Sequence, residues 1–93
     1  MATLQEIVLR LTEFDPHQTI YAADPWQASS PVVIAYQRGD GLTPPEAVAS
    51  GCRYFLEIDI ALDVLRHYPM LLGREPSNLE RCLRVIEYAE NDA

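Results

Sequence analysis

Leu4, Ile7, Val8, Leu11 and Phe14 recur at intervals of three or four residues and fall within about 120° of one another on a 3.6-residue wheel. The spacing predicts a first helix with one core-facing stripe. Thr3 and Glu6 supply a capping box at its start, and Asp15-Pro16 ends it, because the residue before a proline is pushed out of the α region. Glu6 and Arg10 stand four apart on the wet side, spaced for an ion pair. Leu9 falls outside the stripe, as either an ordinary exposed leucine or the edge of a contact surface.

Thr19 to Ala23 reads as a short strand. Val32 to Arg38, β-branched and apolar on both faces, reads as a central one. The intervening Asp24-Pro25-Trp26-Gln27-Ala28-Ser29-Ser30-Pro31 loop is short enough for antiparallel neighbours and holds the single tryptophan. Thr43 is placed to cap a second helix, with Pro44 at its first position, Glu46 at its third and Gly51 as a left-handed stop.

From Arg53 to Ile58 the pattern alternates. Tyr54, Leu56 and Ile58 point one way and Arg53, Phe55 and Glu57 the other, which predicts a third strand. Asp59 then caps a helix running to Tyr68, with Ile60, Ala61, Val64, Leu65 and Tyr68 buried. Pro69 and Gly73 break the chain, and Met70 to Leu72 tuck into the core between them. Ser77 with Glu80 opens a last helix whose stripe is Leu79, Cys82, Leu83, Ile86 and Ala89, with Glu80 and Arg84 as an ion pair. The order is αββαβαα: an α+β domain of two layers, three strands and four helices, in a single domain over residues 1–93.

Composition narrows the setting. Fourteen acidic residues stand against seven arginines and no lysine, a net charge of −7. Such a surface is a poor counterpart for phosphate backbones or anionic lipid, so neither nucleic acid nor a membrane is expected as partner. The absence of lysine has two readings: the codon bias of a GC-rich bacterial genome, or arginine kept for ion pairs and contacts. Cys52 and Cys82 fit no metal-ligand spacing and are expected reduced and buried. No basic stretch precedes an apolar core near the start, and the longest uninterrupted apolar run is Val32 to Tyr36. A cytoplasmic location is therefore expected.

Candidate chemistry is sparse. Asp59, Asp63 and His67 stand at i, i+4 and i+8, a row beside Glu57 that suits a metal or a shared proton. The same spacing describes any solvated helix face, and zinc signatures add a second His or a Cys. The expectation is no metal, with these three as weak candidates. His17 sits beside Asp15 in a turn, where exposed residues are common. No nucleophile elbow, Cys–His spacing or glycine-rich phosphate loop occurs, so neither a cofactor nor a catalytic site is expected. The Trp26 loop is the better candidate, together with Asp24 and Leu9. Tryptophan is enriched in binding hot spots, and flanking prolines reduce the entropy lost on docking. The alternative is that the indole folds back over the sheet edge. The five tyrosines, Tyr21, Tyr36, Tyr54, Tyr68 and Tyr88, are expected at the core rim with their hydroxyls in water.

Several segments together carry a likeness. An opening amphipathic helix precedes Ile20-Tyr21 and Pro25-Trp26. Pro45 to Gly51, Tyr54-Phe55-Leu56-Glu57-Ile58, Asp63-Val64-Leu65 and a closing Tyr88-Ala89-Glu90-Asn91-Asp92-Ala93 follow. This order resembles a family of small acidic bacterial proteins defined by a domain of unknown function. Members of that family have a more acidic loop where this chain has only Asp40. By analogy with immunity proteins of this size and charge, the expectation is a non-enzymatic protein-interaction domain, such as an immunity- or antitoxin-like inhibitor of a basic partner. The alternatives are a small-ligand or metal-binding domain and a self-associating module, a homodimer with Leu9 and Trp26 in its contact. Once caps and helical ion pairs are assigned, the carboxylates left for a partner are Glu13, Asp15, Asp24, Asp40, Glu87, Glu90 and Asp92.

Overall fold

A computed structural model describes residues 1–92. The side chain of Asp92 and all of Ala93, which end the C-terminal motif, lie outside the described residues. Helix α1 covers Leu4–Val8 and is followed by a 3-10 turn at Leu11–Glu13. Strands β1 (Thr19–Ala23) and β2 (Val32–Ala35), helix α2 (Pro45–Ala49), strand β3 (Cys52–Glu57) and helices α3 (Ile58–Leu72) and α4 (Asn78–Asp92) complete the chain. The result is a small α+β domain in the expected order αββαβαα, and no described helix is long and apolar enough to cross a membrane.

The sheet order is β2-β1-β3, with both pairings antiparallel. β1 is therefore the central strand. The Val32 segment, expected in the middle and as far as Arg38, is an edge strand that stops at Ala35. The reason lies in the neighbours of β1, whose first four residues are all buried. Ile20 and Ala22 face the helical core, while Tyr21 faces a second cluster with Ala35, Ala47 and Cys52 on the other side.

The alternation read for β3 fails at one residue. Ile20 pairs with Leu56 but Tyr21 pairs with Tyr54, so Phe55 is the extra residue of a bulge. Phe55, Leu56 and Ile58 consequently all enter the helical core, while Tyr54 turns to the opposite face. Period-two reasoning placed Leu56 with Tyr54, because a bulge leaves no trace in the spacing of apolar residues.

Helices α1, α3 and α4 cover one face of the sheet around a core that includes Leu4, Ile7, Ile20, Phe55, Leu56 and Val85. Short α2 rests on the other face through Ala47. The capping box of α1 forms as expected: the Thr3 amide donates to Glu6 at 2.9 Å, and the Glu6 amide donates to the Thr3 hydroxyl at 3.3 Å. The Leu4 and Gln5 amides donate to the carbonyls of Ser30 and Ala28, fastening α1 to the Trp26 loop. The helix ends at Val8 instead of continuing to Phe14, and Arg10 pairs with Glu13 instead of Glu6.

Four further expectations change. Thr43 does not cap α2; Pro44 is the cap residue and Pro45 takes the first helical position, where its missing N–H costs nothing. Asp59 does not cap α3, which begins one residue earlier. The amides of Ile58 and Asp59 donate instead to the carbonyls of Gln18 and Pro16. Pro69 does not stop α3, which runs on until Gly73 adopts φ 72° and closes it. Met70 and Leu71 are consequently carried into solvent, 83% and 72% exposed, and do not tuck into the core. The stripe of α4 is also rotated, with Cys82, Val85, Ile86 and Ala89 buried while Leu79 and Leu83 are about half exposed. Both cysteines are buried free thiols.

Glu80 forms the expected capping box with Ser77, but its charge partner is Arg74, at 2.9 and 2.6 Å, instead of Arg84. The Arg74 guanidinium, followed by the Ser77 amide, holds the Glu80 carboxyl down to about 2 from 4.5. A carboxyl with a depressed folded-state pKa contributes stability above its unfolded pKa and loses it as the pH falls through the folded value. The melting temperature is expected to fall between pH 4.5 and about 2. Glu80→Gln should flatten that limb in a pH series of thermal melts by lowering the melting temperature near neutral pH while changing little near pH 2.

Candidate functional site

A groove of about 450 Å³ lies beside the Trp26 loop, walled by Asp24, Trp26, Arg53, Phe55, Ala89 and Glu90. Its residues come from a loop, a strand and the last turns of a helix. The loop is self-bracing. The buried Ser30 hydroxyl donates to the Pro25 carbonyl at 3.0 Å and accepts from the Gln27 amide at 2.9 Å, and the Ala23 amide donates to the Pro31 carbonyl.

Trp26 is held on three sides. Its Nε1–H donates to the Ala22 carbonyl at 3.3 Å, and its ring meets Phe55 edge-on with centroids 4.8 Å apart. The Arg53 guanidinium lies over the indole, 4.0 Å from its centroid, an arrangement worth roughly 0.5–1 kcal/mol at exposed sites. Arg53 also grips Asp24 with two hydrogen bonds, Nε to Oδ2 at 2.5 Å and Nη2 to Oδ1 at 2.9 Å. That grip lowers the Asp24 carboxyl below its ordinary value and raises Arg53 above its own. The indole thus folds back onto the sheet and still walls an open groove, which joins the two alternatives read for this loop.

Asp24 and Trp26 stand together, but Leu9 does not join them. It lies at the far end of α1, 48% exposed, in a separate apolar hollow of about 300 Å³ with Val8, Leu11, Leu62 and Leu65. Leu9 and Trp26 therefore line different hollows. Arg53 and Glu90 escaped notice as site residues because they stand 29 and 66 positions from Asp24, and only the pairing of β1 with β3 and the packing of α4 bring them near.

The metal candidates are engaged locally. Asp63 lies 3.2 Å from the Arg66 guanidinium, and His67 Nδ1–H donates to the Asp63 carbonyl at 3.0 Å. Asp59 sits in the first turn of α3. Among the described residues no group of three or more His, Cys, Asp or Glu is arranged to hold a metal. His17 is exposed, its amide bound to Asp15 at 2.9 Å. The hydroxyls of Tyr36 and Tyr54 donate to Asp15 and Glu57, at 2.6 and 3.2 Å. Burial first, then Glu57, pushes the Tyr54 phenol up to about 12.

The charge pattern is orderly. All seven arginines pair, each with a different carboxylate: Glu13, Asp24, Asp40, Asp63, Glu75, Glu80 and Glu87. Glu13, Asp24, Asp40 and Glu87 are therefore not left over for a partner. Among the described residues the carboxylates without an arginine are Glu6, Asp15, Glu46, Glu57, Asp59 and Glu90. Of these, Glu90 lines the groove, and Glu6 opens the helix that hangs from the Trp26 loop.

Burial raises the Cys52 thiol and pushes Cys82 up to about 11, so both are protonated near neutral pH and poor nucleophiles. A thiol reagent at pH 8 is expected to react slowly with the folded chain and at the rate of free cysteine in denaturant. The groove walls should separate by depth. Phe55→Ala is expected to cost about 3–5 kcal/mol in urea unfolding. Arg53→Met, which breaks an exposed pair, should cost less than about 1 kcal/mol.

Comparison with known protein families, with characterised proteins and with solved structures returns no match for this chain.

Proposed function

We propose that the chain is a non-enzymatic protein-interaction domain that receives a basic segment of a partner in the Trp26 groove. The observation that carries this reading is Glu90. It lines an aromatic-walled groove beside the single tryptophan and has no arginine partner among the described residues. Asp24 and Arg53 neutralise each other, so the lining keeps one net negative charge. An incoming arginine or lysine finds an aromatic surface with a carboxylate at its edge, and the remaining acidic excess steers it there.

The cost of docking is low because the groove is pre-formed. Ser30, the Ala22 carbonyl and Phe55 already fix the loop and the indole. The raised thiols and the locally satisfied Asp63 and His67 support binding over catalysis. An inhibitor of a basic protein, in the manner of an immunity protein, is the form of this function that the charge best fits.

Trp26 is the only tryptophan, so its fluorescence reads the occupant of the groove directly. Titration with a short arginine-rich peptide is expected to shift that emission saturably, with an affinity that weakens as salt rises. Glu90→Gln should weaken binding by about two- to fivefold, corresponding to roughly 0.5–1 kcal/mol for an exposed pair. An unchanged emission up to millimolar peptide, or equal binding by the Glu90 variant, would count against the reading.

A further inference from the structure

We propose that the α3–α4 hairpin is the face through which two copies of this chain associate. Helix α3 reads Ile-Asp-Ile-Ala-Leu-Asp-Val-Leu-Arg-His-Tyr-Pro-Met-Leu-Leu, yet only Ile58 and Ala61 of it are buried. Val64, Leu65, Tyr68 and Leu72 are half-buried, and Met70 and Leu71 stand in solvent at the end of the helix. Across the short 73–77 connection, Leu79 and Leu83 are 47% and 50% exposed. An isolated surface leucine needs no explanation, but four large apolar side chains on one hairpin are an unpartnered surface.

The charges argue for the occupant. Residues 60–89 hold four acids and four arginines, and every one is paired within that segment: Asp63 with Arg66, Arg74 with Glu80, Glu75 with Arg81, and Arg84 with Glu87. Between residues 60 and 89 the hairpin is electrically neutral, with Asp59 at the start of α3 and Glu90 near the end of α4 outside that stretch. Residues 1–59 hold eight acids and three arginines, a balance of −5, and residues 90–93 hold two acids. A second copy carrying −7 meets little repulsion at this face, where the nearest charges cancel and more distant ones are screened beyond about 8 Å at physiological salt.

A basic partner gains nothing from a face whose carboxylates are all taken. A two-fold arrangement of hairpins, by contrast, sets apolar side chains against their own counterparts, as in a four-helix bundle. Glu90 lies eleven residues beyond Leu79, about 16 Å along α4. Association through the hairpin tip therefore leaves the Trp26 groove open, and a dimer presents two of them.

Sedimentation equilibrium of the whole chain over a micromolar to millimolar series tests this. The expected mass rises from 10.5 kDa towards twice that value, and added salt does not reverse the rise. Leu71→Glu combined with Leu83→Glu should weaken association at least tenfold. Both sites are exposed, so circular dichroism and melting should stay near those of the parent. A monomer throughout the series overturns the proposal and leaves the face to a different protein or to none. A dimer dissolved by Trp26→Ala or Glu90→Gln but not by the leucine variants overturns it as well. Peptide binding read by Trp26 emission is expected to survive the leucine substitutions, which keeps failure here distinct from failure of the groove reading.

Discussion

The bulge at Phe55 is the constraint on which the shape of this molecule turns. Had β3 alternated without interruption, Leu56 would turn with Tyr54 to the opposite face, and the helical core would lose it. The extra residue lets Phe55 and Leu56 both enter that core while Tyr54 meets Tyr21 on the opposite face, with rings 6.5 Å apart. Trp26 then rests edge-on against Phe55, and Arg53, two residues earlier, reaches over the indole to Asp24. One irregular pairing in the sheet thereby fixes both the deepest packing and the open groove above it.

The arginines form a second level of organisation. Each neutralises one carboxylate, mostly near in sequence, and all of these pairs are substantially exposed on at least one side. Pairs of this kind contribute little to stability, about 0–1 kcal/mol each. Their effect is to decide where charge remains. Residues 60–89 of the α3–α4 hairpin end neutral, whereas Glu6 and Glu90 stay uncompensated around the Trp26 loop and Asp15, Glu57 and Asp59 near the opposite end of the sheet. A net charge of −7 is thus an uneven field across the surface.

Local chemistry was legible where a residue acts on its own neighbours. The Thr3–Glu6 and Ser77–Glu80 capping boxes, the buried thiols and the antiparallel β1–β2 pair all depend on spacings of a few residues. Reading failed where a distant carbonyl or guanidinium took over a local role. Asp59 lost its cap because Pro16 and Gln18 supply the carbonyls that receive the first amides of α3. Glu80 exchanged Arg84 for Arg74 because the 73–77 connection brings Arg74 back over the helix start. Pro69 remained helical because an imposed φ near −65° is compatible with a helix, and the forfeited hydrogen bond falls near an end that Gly73 closes.

The candidate site divides the same way. The Trp26 loop, with its prolines and Asp24, announced itself by composition. Arg53, Phe55 and Glu90 could not, since nothing in their own surroundings refers to residue 26. The sequence by itself determined the element order, the starts of α1 and α4, the burial of both cysteines and the size of the acidic excess, because each follows from periodicity, capping geometry or composition. Only the tertiary structure decided the central strand, the side to which Leu56 points, the partner of each arginine and hence the location of the uncompensated charge. Those outcomes depend on contacts between residues far apart in the chain, for which no local spacing carries a signal.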